Sequence, residues 1–121
     1  MLLVREMKSV RSRKAFRAIL RKVSDGDAVV YFTASWCKPC KFFGPVLKAV
    51  ARRAKITLVK VDIDRVDPSL ISRRPWRVDV VPTVFAYRNR KIRRRLESAV
   101  IEKSLEGWFR EAFPAKKKVE D

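Results

Sequence analysis

Two apolar rhythms alternate along this chain. "AVVYFTA", 28–34, is almost unbroken in β-branched and aromatic residues, as a strand covered on both faces would be. "ITLVKVDI", 56–63, has the same character and predicts a second central strand. Between them, after Pro39, the apolar spacing changes to three and four. Phe43, Leu47, Val50 and Ala54 then share one face of a predicted helix, which Pro45 is expected to kink. Upstream, residues 2–7 (LLVREM) read as a short strand. Ser9 or Ser12 can cap a helix reaching about Val23, with Phe16, Ile19 and Leu20 on one face, and "SDGD", 24–27, is a turn. Downstream, Asp67 is a cap and Pro68 the first position of a helix in "DPSLIS", 67–72. "TVFAYR", 83–88, and "KIRRRLE", 91–97, predict a hairpin around Asn89-Arg90. Strict alternation puts Ile92, Arg94 and Leu96 on one face of its second strand and Arg93 and Arg95 on the other. Ile101, Leu105, Trp108, Ala112 and Phe113 form the stripe of a last helix at about 101–113. The order β-α-β-α-β-α-β-β-α implies an α/β fold, with a parallel centre, helices on both faces and antiparallel strands added late.

Composition sets the scale of this picture. A chain of 121 residues, 47% of them hydrophobic, suits one domain with one modest core. We expect that domain at 1–114, followed by a charged tail at 115–121 (AKKKVED). No apolar run approaches a transmembrane helix, and MLLVREMK reaches Arg5 and Glu6 before a signal-peptide core can form. The expectation is a cytoplasmic monomer without a membrane partner, in a compartment where structural disulfides are rare.

The net charge is +17, with 30 Lys and Arg against 13 Asp and Glu. "RNRKIRRR", 88–95, holds six cations in eight residues, and the first predicted helix adds Arg11, Arg13, Lys14, Arg17, Arg21 and Lys22. Such an excess attracts polyanions and says little about the fold. No Gly-rich phosphate loop, zinc knuckle or RNA-type aromatic signature accompanies it. Nucleic-acid contact is therefore expected to be non-specific and salt-sensitive. The same charges on a sheet edge would also block unwanted strand pairing.

The candidate chemistry lies in "TASWCKPCKFF", 33–43, which holds both cysteines of a chain without histidine. A closed zinc site needs about four Cys or His ligands, so one chain cannot build it and no metal is expected. Two inert buried thiols remain a reading of the pair. A redox couple has more physical support. Cys37 ends a buried strand where the next helix begins, and there unpaired N–H groups and the helix dipole stabilise a thiolate. Cys40 is one turn further, shielded, with its sulfur in reach of the first. Lys38 and Lys41 add positive potential.

At these residues the sequence resembles the thioredoxin family. "VVYFTASWCKPCKFFGPVL" is similar to the family's strand–WCGPC–helix segment, and "FTASWC" is closest to cytosolic, plant-type wording. "LVKVDID" (58–64), "VDVVPTVFAYRN" (78–89) and 98–109 resemble the next strand, the cis-proline segment and the last helix. The resemblance implies a thioredoxin fold, a central mixed sheet of about five strands flanked by about four helices. It implies an enzyme that reduces protein disulfides without a cofactor and is regenerated by a separate reductase. Cys37 would be the nucleophile and Cys40 the resolving thiol. Trp36, Lys38 and Pro39 would frame the site. Pro82 would be the cis-proline, and Val81 would pair with a substrate strand.

Three departures stand out. Lys38 replaces the motif's glycine. Tyr31 stands where the family keeps a buried Asp that takes a proton from the resolving cysteine. Ser98 replaces a glycine at the last strand-to-helix junction. Lys60, retained from the family, could aid proton transfer if buried and neutral; otherwise it reaches solvent or pairs with Asp62. The rival function is an adaptor that uses its basic surface to join a nucleic-acid or other anionic assembly, with redox activity secondary.

Overall fold

The computed structural model describes residues 4–7, 18, 21, 26–89 and 91–114. The predicted first helix lies largely outside these residues, as do Arg90 and the tail; its two described members, Ala18 and Arg21, are helical. Five strands form one mixed sheet: β1 (Val4–Met7), β2 (Asp27–Thr33), β3 (Thr57–Asp62), β4 (Thr83–Arg88) and β5 (Lys91–Leu96). Their spatial order is β1-β3-β2-β4-β5. β3 lies between β1 and β2, parallel to both, while β4 runs antiparallel to β2 and β5 antiparallel to β4. Among the described residues, the helices after β2 are α1 (Lys38–Ala54), α2 (Pro68–Ser72) and α3 (Glu102–Ala112).

The unbroken apolar run of β2 has a simple cause. Val29 and Tyr31 face α1 and α3, in a cluster with Phe43, Leu47, Leu58, Val84, Leu105 and Phe109. Val30 and Phe32 point the other way, into a cluster with Val59, Val61, Ile71, Trp76 and Phe85. Alternate residues of a strand serve opposite faces, so a strand with both faces covered cannot spare a polar position. Trp76 anchors the second face. Its ring lies 5.0 Å from Phe85 and 5.5 Å from Phe32, and stacks on Tyr87 at 5.8 Å. Truncating it to Ala would cost about 3–5 kcal/mol.

Local signals held at most element ends. Asp67 accepts the Ser69 N–H at 2.9 Å and Pro68 opens α2, as predicted. Pro45 sits inside α1, yet the helix continues through it to Ala54 and closes on Lys55 in the left-handed region (φ 57°). Asn89 takes a positive φ of 52° at the hairpin. Two stripes shift from the expected positions. Ala51, not Ala54, completes the buried face of α1, because the chain leaves the helix at Lys55. Phe109 is the buried aromatic of α3, whereas Ile101 is its N-cap residue and 71% exposed.

β5 departs from strict alternation. Ala86 pairs with Arg94 but Tyr87 pairs with Ile92, so Arg93 is an extra residue in a β-bulge. The bulge flips the faces on either side of it. Ile92 therefore joins the Trp76 cluster, on the same side as Arg95, while Leu96 packs towards α3 and Arg94 pairs with Glu111. The expected sharing of one face by Ile92, Arg94 and Leu96 does not occur.

Candidate active site

β2 ends at Thr33, and the chain turns through Ala34–Trp36 into α1. Cys37 is the N-cap of α1, with extended backbone (φ −83°, ψ 107°) and Lys38 and Pro39 in the first two helical positions. Proline suits this place because its missing N–H would have no helical partner there. The Cys40 N–H donates to Cys37 Sγ at 3.2 Å, so one of the helix's unpaired donors serves the cysteine sulfur. Cys37 and Cys40 form a disulfide, with Cα atoms 5.3 Å apart.

The disulfide state buries both cysteines equally, Cys37 to 4% exposure and Cys40 to 5%. Exposure therefore does not set a free Cys37 against a shielded Cys40 in this state, because Ile63 and Val81 pack over the pair. Their surroundings do differ. Cys37 Sγ lies 3.7 Å from the Val81 carbonyl oxygen. The Val81–Pro82 bond is cis, as predicted. Trp36 is 64% exposed, and its indole N–H donates to Asp64 at 2.9 Å. Lys38 and Pro39 are exposed, Val81 is half-buried and Pro82 is buried. Ser98 sits in the exposed bend after β5.

Cys40 opens the other way, onto a cavity of about 580 Å³. Tyr31, Thr33, Lys41, Gly44, Lys48, Lys60 and Asp62 are among its lining residues. Tyr31 is 3% exposed, packs edge-on against Phe43 at 5.9 Å and donates its hydroxyl to the Cys40 carbonyl at 3.4 Å. Gly44 lies under that ring, where a Cβ would stand at ordinary contact, 3.5 Å from the tyrosine oxygen. Burial pushes the Tyr31 phenol above its usual value near 10, and its hydrogen bond with Thr33 offsets this only in part. Lys60 neighbours Tyr31 across β2–β3 but is exposed, so the burial considered from the sequence is not its setting. Sequence reasoning missed Asp64 as the partner of Trp36 and Asp62 as the carboxylate of the cavity. Their signal was the "DID" that closes the second central strand.

A family model described as Thioredoxin matches residues 7–111. This chain belongs to the thioredoxin family. It is 37% identical over 82 residues to "Thioredoxin H-type" of Ricinus communis, covering 65% of this chain and 67% of that protein. It is 34% identical over 88 residues to "Thioredoxin H-type 1" of Nicotiana tabacum, covering 72% and 68%. A 47% match over 64 residues to "TPR repeat-containing thioredoxin TDX" of Oryza sativa subsp. japonica spans 52% of this chain but only 19% of that longer protein. Among solved structures, Schistosoma mansoni thioredoxin superposes with a TM-score of 0.70 at 26% identity, covering 87% of this chain and 92% of that one. Chlamydomonas reinhardtii thioredoxin f2 gives 0.74 at 24% identity, covering 93% and 99%, and supports the fold. The Cys37–Cys40 pair of this chain is thus a thioredoxin-family dithiol/disulfide couple.

Proposed function

We propose that the protein reduces disulfides of other proteins, with Cys37 as nucleophile and Cys40 as resolving thiol. The observation that carries this reading is the placement of Cys37. Its sulfur receives the Cys40 N–H at the start of α1 and lies beside the Val81 carbonyl. The helix terminus favours negative charge at that sulfur. The Cys37 thiolate attacks one sulfur of the substrate disulfide, and the other substrate sulfur leaves as a thiolate. Cys40, deprotonated, then attacks Cys37 Sγ and releases the second substrate thiolate. Two electrons pass to the substrate, and Cys37–Cys40 is left as the disulfide.

Exposed Trp36 and Val80 offer apolar surface beside the couple, and Val81 offers backbone groups for a substrate strand. A separate reductase restores the dithiol, which suits a reducing compartment such as the cytosol. The adaptor reading gains nothing from the site, where the couple and its frame are intact. The test is insulin reduction driven by dithiothreitol. The wild type should accelerate it and Cys37→Ser should not. Equal rates for the two would sink the proposal. Iodoacetamide should modify Cys37 before Cys40 in the reduced protein, and the reverse order would exchange the two roles.

A further inference from the structure

We infer that Asp62 is the group that takes the proton from Cys40 when the mixed disulfide resolves, acting through the cavity beneath the couple. This rests on the proposed reduction of protein disulfides. A substrate docked against Trp36 and Val81 covers the Cys37 side of the couple. The Cys40 proton must then leave on the other side, where Cys40 lines the cavity of about 580 Å³. That space is large enough to hold water between its walls.

The walls decide what can accept the proton. From β2 come Tyr31, whose phenol is pushed up by burial, and Thr33. From α1 come the cations Lys41 and Lys48, and from β3 comes Lys60. Among the lining residues, Asp62 is the one carboxylate. It sits at the end of β3, paired in register with Thr33, and its side chain is 27% exposed. Its Oδ1 accepts the Asp64 N–H at 2.9 Å, and Arg65 approaches Oδ2 at 3.7 Å. These contacts hold the carboxylate at the rim with acceptor capacity to spare. Asp64 itself is engaged with Trp36. The three lysines favour negative charge in the cavity, and so favour the Cys40 thiolate as it forms.

The step balances. Cys40 S–H gives its proton through water to the Asp62 carboxylate. The Cys40 sulfur then bonds to Cys37 Sγ, the bond from Cys37 to the substrate sulfur breaks, and the substrate leaves as a thiolate. The protonated Asp62 carboxyl returns its proton to solvent at the rim. In the reductive half of the cycle the same carboxyl delivers a proton to the departing Cys40.

The test separates attack from resolution in a single turnover of the full chain with a chromogenic aryl disulfide. In the wild type both steps should be seen. Asp62→Asn keeps an oxygen for the Asp64 N–H, so attack by Cys37 should stay within about twofold. Resolution should slow by roughly tenfold or more near neutral pH. It should also change its pH dependence, from shallow in the wild type to about tenfold per pH unit in Asp62→Asn, where hydroxide becomes the acceptor. Acetate or formate, small enough to enter the open cavity, should restore the rate of Asp62→Asn, and Asp62→Glu should retain most of it. Asp62→Ser serves as a second variant if the amide folds poorly. Wild-type resolution and pH profile in Asp62→Asn overturn the inference, as does an equal slowing of both steps without carboxylate rescue. If wild-type Cys37 fails even to attack the probe, the proposed function falls and takes this inference with it.

Discussion

Tyr31→Asp puts a carboxylate on the wall of the cavity that Cys40 lines and removes a ring from the core, so its two effects should oppose one another. The ring is nearly fully buried, edge-on to Phe43 and fitted over Gly44. Truncating such an aromatic costs about 3–5 kcal/mol, a large part of a typical stability of about 5–15 kcal/mol. Two features place this case at the lower end. The ring borders a cavity already of about 580 Å³, so water can follow the lost atoms. Lys60 lies beside position 31 across the strands, so the new charge has a cation at hand. The expected loss of about 3 kcal/mol corresponds to a fall of roughly 10 °C in melting temperature for a domain of this size. The folded fraction should nonetheless resolve the mixed disulfide faster near neutral pH, because a second carboxylate then joins Asp62 in the cavity where the raised phenol accepts no proton. Calorimetry gives the first quantity and single-turnover reduction the second. A melting temperature within a few degrees of wild type would show that the Tyr31 ring does not contribute to packing as described. A folded variant with unchanged resolution would show that a carboxylate at position 31 adds nothing to the acceptor already lining the cavity.

Gly44→Ala should stabilise the protein by about 0.5–1 kcal/mol, because alanine is the better helix former and its Cβ meets Tyr31 at an ordinary contact of 3.5 Å; a loss in thermal unfolding would place the ring closer. The two tyrosines of the chain are both pushed upward by burial. A raised folded value means stability is intact below the unfolded value near 10 and lost as pH rises through the folded one. Phenolate absorbance of the native protein should therefore appear only above about pH 10, together with alkaline loss of stability, and normal titration would refute the burial argument. Arg95→Ala should cost about 1.5–3 kcal/mol by denaturant melt, since its guanidinium donates to the Trp76 and Arg77 carbonyls and lies 5.0 Å over the Phe85 ring. Arg93→Ala, at the exposed bulge, should fall within about 0.5 kcal/mol of wild type, and similar losses for both would mean the run at 88–95 acts only as charge. Heparin binding should weaken steeply with salt, and a flat dependence would point to a specific site.

The parts of this molecule that were legible in the sequence are those governed by neighbours along the chain. Strand β2, the capping of α2 by Asp67 and the placement of Cys37 at a helix start all depend on residue order over a short span, whereas the cis Val81–Pro82 bond was implied only by the family resemblance. What stayed hidden depends on distant partners. Trp36 finds Asp64 28 residues away. Tyr31 packs over Gly44 and edge-on to Phe43, neighbours 12 or more positions along the chain that its own position does not reveal. The β5 bulge was invisible because strict alternation offers no reason to skip a residue, and one extra position changes which side chains face the core. Ile101 left the α3 stripe because it became the cap, and Phe109, four residues after Leu105, is the buried aromatic in place of the half-buried Trp108.

The basic run at 88–95 shows why charge density read along a sequence overstates a binding surface. Arg88 is bound to Asp27 through two hydrogen bonds, at 2.6 and 2.9 Å, and also donates to the Pro114 carbonyl. Arg94 pairs with Glu111 on α3. Arg95 is turned inward over Phe85, holds two carbonyls of the 73–77 loop and pairs with Glu97. The Arg88 and Arg95 guanidinium groups carry long-range field but have several donors engaged, so an incoming phosphate would have to displace carboxylates and carbonyls already in place. Lys91 and Arg93 remain exposed at the edge strand. Exposed cations on a bulged edge suit the blocking of strand addition better than the gripping of a particular polyanion. The attraction expected from a net charge of +17 is then a property of the whole surface, with the hairpin serving first to tie β5 to α3 and to the Trp76 face.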